Sequence, residues 1–454
     1  MTRVLVVTRD RIGEKMAGPA IRAWEISKAL SEEHDVRLVA FGGCSRAGEG
    51  FQAVGIGPND LEGEVGRSDV VLIQGYFMND FPWLRDCPQV IVVDLYDPFH
   101  LESLEVERFK PREQRVAAID SARYELQKQL ERGDMFLCAS EKQRDLWIGH
   151  LAGVGRVNPD TYDMDQSLRE LIAVVPFGTS PEKPARTGPG VKQRVPGIAA
   201  DDKVVIWGGG LYNWFDPIIV VRAIERVSWK VPEVRMFFLG MKHPNPDIPE
   251  SEISLKTRSV ADELGLTGKH VFFNEDWVPY ESRSNYLLDA EIGISTHFDH
   301  VETAFSFRTR ILDYLWAGLP MISTEGDTFS ALIARDGLGI VVPPEDVEAL
   351  SDALIALLTD DSERGRIRER VEQVAQQYTW PVVLAPLLDF CRDPRRAPDA
   401  YRMQTTPDPV KTSILSDSFR SSLSNAWRYL RDGELRTIAL KIRKRLGQSR
   451  NDQP

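Results

Sequence analysis

Short apolar runs of strand length recur along this chain, and most are followed by a turn and then by a helical stretch. That alternation is the pattern of parallel α/β sheets. A first series comprises Val4–Thr8, Val36–Phe41, Val70–Gln74, Val90–Asp94, Met135–Ala139 and Ala173–Pro176, with helical stretches such as Ile21–Glu32 and Ser121–Leu130 between them. A second series opens at Lys203–Trp207 and continues through Arg235–Gly240, His270–Phe273, Ile292–Ser295, Met321–Ser323 and Gly339–Val342. Between them, Phe177–Asp202 holds four prolines and four glycines, the composition of a linker. A chain of 454 residues is too long for one compact core. Two Rossmann-like, doubly wound α/β domains facing across a cleft are expected, at residues 1–178 and 203–380, joined by a linker at 179–202. Open sheets of this kind bind ligands at the carboxyl ends of their strands.

Residues 381–400 read as a helix crossing back to the first domain, and 401–454 as a basic amphipathic tail. Within that tail, Ser418–Leu446 is helical in pattern, and residues 420–450 carry nine Lys and Arg against two acids. Leu435, Ile438, Ala439, Ile442 and Leu446 share one face of it. Such a helix suits an anionic membrane surface, an acidic partner or the protein's own acidic body. The whole chain has a net charge of −12, which argues against a general nucleic-acid binder. The four cysteines, Cys44, Cys87, Cys138 and Cys391, lie far apart, as suits a reducing compartment. No run reaches transmembrane length, and the short apolar run at the N-terminus reads as a buried strand rather than a signal peptide. A cytoplasmic protein, peripheral on the membrane through its tail, is the expectation.

Three loops carry chemistry. Gly13–Ala20, with Gly18 at its end, opens a helix and suits either a phosphate or a plain strand–helix turn. Gly208-Gly209-Gly210 begins the loop Gly208–Pro217, where Trp214 and Phe215 are unusual for a solvated turn. The densest segment is Thr296–Pro320, in which Arg310 and Asp313 are three apart and share a helix face. A carboxylate there can take the hydroxyls of a ribose, and arginines at the helix start can neutralise a diphosphate. The alternative is an ordinary intrahelical ion pair. His297, Asp299 and His300 lack a further ligand at regular spacing, so no metal is expected. In Asp94–His100, a capping or turn role competes with a functional one for Asp94 and Asp97. Ser140 with Gln143 fits a helix capping box.

Asp313–Pro320 followed by Met321-Ile322-Ser323-Thr324 resembles the E-A-x-A-x-G-x-P-V-I-x-T segment of glycosyltransferase family 4, retaining enzymes of the GT-B fold. Gly18-Pro19-Ala20, Val174–Gly178, Phe238-Leu239-Gly240 and Gly337–Pro343 agree with it. The resemblance implies a two-domain GT-B glycosyltransferase that moves a sugar from a nucleoside diphosphate sugar to an acceptor hydroxyl with retention, without cofactor or obligatory metal. The acceptor would be a glycan, a lipid-linked sugar or a small molecule. It places His100 near the sugar, with Asp94 and Asp97 as alternatives, and the nucleobase at Trp277 and Val278. Two departures stand out. Phe305 occupies the position of the family's second glutamate, leaving Glu302 as its replacement, and the helix acid is Asp313 rather than Glu. The loop Gly208–Pro217 also has no cation, so Arg308 and Arg310, with Lys242, are expected to hold the diphosphate. A nucleotide-sugar epimerase or hydrolase, or a non-catalytic subunit of the same fold, are the rival expectations.

Overall fold

The computed structural model describes residues 1–241 and 250–403. Met1–Gln404 form one compact unit, and a second unit, Thr405–Pro454, lies outside the described residues. The expected Ser418–Leu446 helix and Lys242 also fall outside them.

The first sheet comprises β1 (Arg3–Thr8), β2 (Asp35–Ala40), β3 (Gln52–Gly55), β4 (Val70–Gln74), β5 (Val90–Asp94), β6 (Met135–Cys138) and β7 (Ile172–Val174). Its order is β3-β2-β1-β4-β5-β6-β7, parallel throughout. The second comprises β8 (Lys203–Trp207), β9 (Val234–Phe238), β10 (Val271–Phe273), β11 (Ile292–Ser295), β12 (Met321–Thr324) and β13 (Gly339–Val342). These run β10-β9-β8-β11-β12-β13, again parallel. Both faces are covered, so β4 and β5 are buried at every residue and read as continuous apolar runs. The edge strand β3 has no such signature, because Gln-Ala-Val-Gly is short and half exposed.

Strand order reverses between β1 and β4 in one sheet and between β8 and β11 in the other. The loops after β1, β8 and β11 therefore leave from the two switch points, where open α/β sheets hold ligands.

The Pro- and Gly-rich join is fastened rather than free. Asn285 Oδ1 accepts from the Thr187 and Gly188 amides at 2.7 and 3.0 Å, and Arg186 pairs with Asp289 at 2.7 Å. Two backbone bonds at Thr179 tie this join to the returning chain: the Thr179 amide donates to Tyr378 O at 2.7 Å, and the Trp380 amide to Thr179 O at 2.9 Å. A Cβ at Gly178 would lie 2.7 Å from the Trp380 ring, so only glycine fits that crossing.

Beyond it the helices Trp380–Val383 and Ala385–Arg392, separated at Leu384, run back onto the first sheet. Thr2 Oγ1 donates to Cys391 O at 2.9 Å, and Arg392 meets Glu33 at 2.6 Å. Arg156 and Asp399, both fully buried, form a two-bonded pair at 2.8 and 3.1 Å. Removing one partner of such a pair strands the other charge, at a cost of about 3–5 kcal/mol. Asp399→Ala should therefore lower the unfolding free energy by about that amount in a denaturant titration. Nucleotide affinity of the folded fraction should be unchanged, since Asp399 lies far from the switch points in the chain's return.

Candidate active site

A cavity of about 390 Å³ opens between the carboxyl ends of the two sheets. The first sheet contributes Asp10 after β1, the helix start at Gly18, Asp97 after β5 and Glu102. From the second come Gly208, Gly209, Gly210, Trp214, Phe215, Trp277, Arg308, Arg310 and Asp313.

The glycine loop is shaped by Tyr314. Its hydroxyl accepts from the Gly208 amide at 2.8 Å and donates between the carbonyls of Ile206 and Ile294 at 3.0 and 2.9 Å. Gly293 makes room for that ring, since a Cβ there would come within 2.4 Å of it. Gly209 sits at φ +86° with open space on its Cβ side, a conformation that favours glycine.

Arg310 is only 6% exposed, and its guanidinium lies over the rings of Trp207 and Phe215 at 4.1 and 3.9 Å. Nη2 donates to Gly210 O at 2.9 Å, while Nη1 is buried without a partner. Among the described residues no carboxylate pairs with Arg310, so its charge is offset only by ring faces and a carbonyl. Burial pushes this guanidinium down to about 9, still charged at neutral pH. Arg308, 5% exposed, lies over the same Phe215 ring at 4.8 Å. It has a counter-ion: Glu302 accepts from both of its terminal nitrogens at 2.9 and 2.7 Å.

The structure thus brings Arg308, Arg310, Gly18, Gly208, Gly209, Gly210, Trp277 and Asp313 around one cavity, and it moves others away. Glu302 does not line it; the carboxylate is 1% exposed and spent on orienting Arg308. His100 does not line it either, because Pro98 and Glu102, four apart, take the cavity face and residue 100 points aside. Its ring packs on Trp147 and His150 at 5.5 and 5.1 Å, and burial, reinforced by His150, pushes it down to about 4. Asp94 is closed in a buried pair with Arg22 at 2.6 Å. Val278 packs against the core instead of the cavity. Trp277 donates its indole N–H to Met16 O at 3.1 Å, across to the first sheet's loop. Asp313 pairs with Arg283 at 2.9 Å rather than with Arg310. His297 stands beside Asp327 at 3.6 Å while His300 caps the helix Val301–Phe305, so the histidines serve separate ends. Ser140 caps its helix by accepting from the Gln143 amide at 3.1 Å.

Asp10 and Glu102 are functional-face residues that sequence spacing does not single out; their one signal is position just beyond β1 and β5. Burial raises Asp10 against a bond from the Ala20 amide. Burial, then the charge of Asp97 and Glu302, raises Glu102 well above the usual carboxylate range. Asp97 is pushed up to about 7 by burial and then by Asp94.

A carboxyl whose folded value is raised holds its proton longer in the folded chain, so ionisation opposes folding. The stability tied to Asp97 is fully present below about pH 4, the ordinary aspartate value, and is lost as pH rises through about 7. Asp97→Asn should accordingly raise the melting temperature relative to the parent at pH 8, with the gain shrinking toward pH 4. Parallel melting curves across that range would show that Asp97 is not held in this way.

Residues 202–360 match the family model described as Glycosyl transferases group 1, which bears out the resemblance read from Asp313–Thr324. The D-inositol 3-phosphate glycosyltransferase of Corynebacterium urealyticum is 26% identical over 232 residues, covering 50% of this chain and 52% of its own. The chain thus spans about half the length of that curated relative. Among solved structures, sucrose-phosphate synthase from Thermosynechococcus elongatus superposes with a TM-score of 0.63 at 14% identity, covering 86% of this chain and 98% of its own. Anabaena HepE, in complex with UDP and glucose, gives 0.60 at 14% identity, covering 86% and 100%. Residues 202–360 are thus similar to the group 1 glycosyl transferases, and with the sheet that precedes them they give this chain the GT-B fold.

Proposed function

We propose that this chain transfers a sugar from a nucleoside diphosphate sugar to an acceptor hydroxyl, with retention at the anomeric carbon and with no resident metal. The observation that carries the reading is Arg310: a buried cation without a carboxylate partner among the described residues, an unmet Nη1, and a place on the wall of the cavity. A buried charge in that state calls for an anion. A diphosphate between Arg310, Arg308 and Gly208–Gly210 answers it, with Asp313 on the ribose.

In the reaction, the acceptor oxygen bonds to the anomeric carbon as the bond from that carbon to the diphosphate oxygen breaks. The hydroxyl proton leaves with the nucleoside diphosphate. Negative charge grows on the leaving group, where two pre-placed guanidiniums stabilise it without reorganising. They supply the charge that a metal ion supplies elsewhere. The cleft between the sheets holds the acceptor oxygen against the anomeric carbon. HepE, whose structure holds UDP and glucose, supports a nucleotide sugar of this kind. The Corynebacterium relative's name includes D-inositol 3-phosphate. That part is not carried over, because the cations lining this cavity among the described residues, Arg308 and Arg310, both belong to the second sheet's side.

Release of nucleoside diphosphate should require both donor and acceptor and persist in a chelator; turnover of donor alone would favour an epimerase or hydrolase. Arg310→Ala should cut the rate by about 10²–10³, the usual loss on removing one donor to a developing anion. Free nucleoside should bind the variant as it binds the parent. Full turnover in Arg310→Ala would remove the arginine from the mechanism, and failure of UDP, GDP and dTDP to bind in calorimetry would favour a non-catalytic subunit.

A further inference from the structure

The glycine loop of the second switch point is held from a single helix. Arg310 and Tyr314 stand four residues apart on the helix Arg310–Trp316 and so share a face. Arg310 Nη2 holds the third glycine of the loop through the Gly210 carbonyl at 2.9 Å, and Tyr314 holds the first through the Gly208 amide at 2.8 Å. The pairing between β8 and β11 ends with Gly293 opposite Ile206. There the strands part, and the phenol hydroxyl stands in the opening, with the carbonyls of Ile206 and Ile294 at 3.0 and 2.9 Å. Burial pushes that phenol up to about 12, so it keeps the proton those carbonyls need. The family 4 segment has alanine directly after its helix acid, whereas this chain has Tyr314, with Gly293 leaving the ring its room.

The consequence is a division among the loop's amides. The Gly208 N–H is taken by Tyr314, whereas the amides of Gly209 and Gly210 donate to nothing among the described residues. Both glycines line the cavity with Arg310, whose Nη1 is also unmet. Resting on the reading of this wall as the donor's, we infer that Tyr314 is a positioning residue for the diphosphate: by fixing Gly208 it sets the Gly209 and Gly210 amides, with Arg310 Nη1, as the donors the diphosphate meets. Three successive glycines have more backbone freedom to lose than any other tripeptide. Donors fixed before the ligand arrives need no reorganisation when it binds or when charge develops on it.

Calorimetry on the full chain tests this with UDP, GDP and dTDP and with their nucleosides, uridine, guanosine and thymidine. Tyr314→Phe keeps the ring and loses the hydroxyl. Tyr314→Ala with Gly293→Ala removes the ring and refills part of its space, and melting curves establish which variants fold. In a folded variant, the diphosphate that the parent binds should bind roughly tenfold more weakly, the weight of about one bond to a charged group. Its nucleoside should bind as it does in the parent. A role in stability alone gives a lower melting temperature with both affinities unchanged, and that result overturns the inference. Equal weakening of diphosphate and nucleoside overturns it too, as does failure of both variants to fold, which makes Tyr314 a structural residue. If the parent binds none of the three diphosphates, the donor reading itself is removed and the inference falls with it.

Discussion

A guanidinium buried without a carboxylate is the constraint around which the second half of this molecule is arranged. Arg310 lies between Trp207 and Phe215, with Nη2 on the Gly210 carbonyl. Trp207 ends β8 and Phe215 lies near the end of the loop Gly208–Pro217, so the charge sits on the wall of the cavity. The ring faces make the burial tolerable without cancelling the charge, as a carboxylate would. Tyr314 then fixes the loop from behind through three backbone groups. Arg308 is treated differently: Glu302 holds it in a two-bonded geometry and offsets its charge. Arg310 keeps an unbalanced positive charge, whereas Arg308 is fixed in orientation.

The two halves meet through a short run of the second domain. Trp277 reaches Met16, the Tyr280 amide donates to Glu14 O at 3.0 Å, and Glu281 pairs with Arg46 at 3.0 Å. The same run supplies Arg283, which stacks between Tyr280 and Trp316 at 3.8 and 4.5 Å and holds Asp313. Contact between the halves and placement of the Asp313 carboxylate therefore share one segment. From the first half, Gln143 donates to Phe305 O at 2.9 Å, just ahead of the arginines.

Most of the architecture is written in the sequence because parallel strands buried on both faces must be apolar throughout. That logic finds twelve of the thirteen strands among the described residues and misses β3, which is short, half exposed and at an edge. The place of the two arginines on the cavity was legible in the sequence, because Gly208–Pro217 has no cation of its own. Their partners were not. Spacing pairs Arg310 with Asp313, but Asp313 is taken by Arg283 from thirty residues earlier, a long-range contact without a periodic signal. His100 shows the limit most sharply. It lies just after β5, among residues that line the cavity, yet a helix turns about 100° per residue, and two positions decide whether Glu102 or His100 faces the cavity.

On the proposed reading, an acidic protein, at a net −12, has to hold an anionic donor. The overall field does not attract such a ligand, so the attraction must be local and shielded from the rest of the chain. Burial beside aromatic rings does that for Arg308 and Arg310, because a low-dielectric wall preserves their potential at short range.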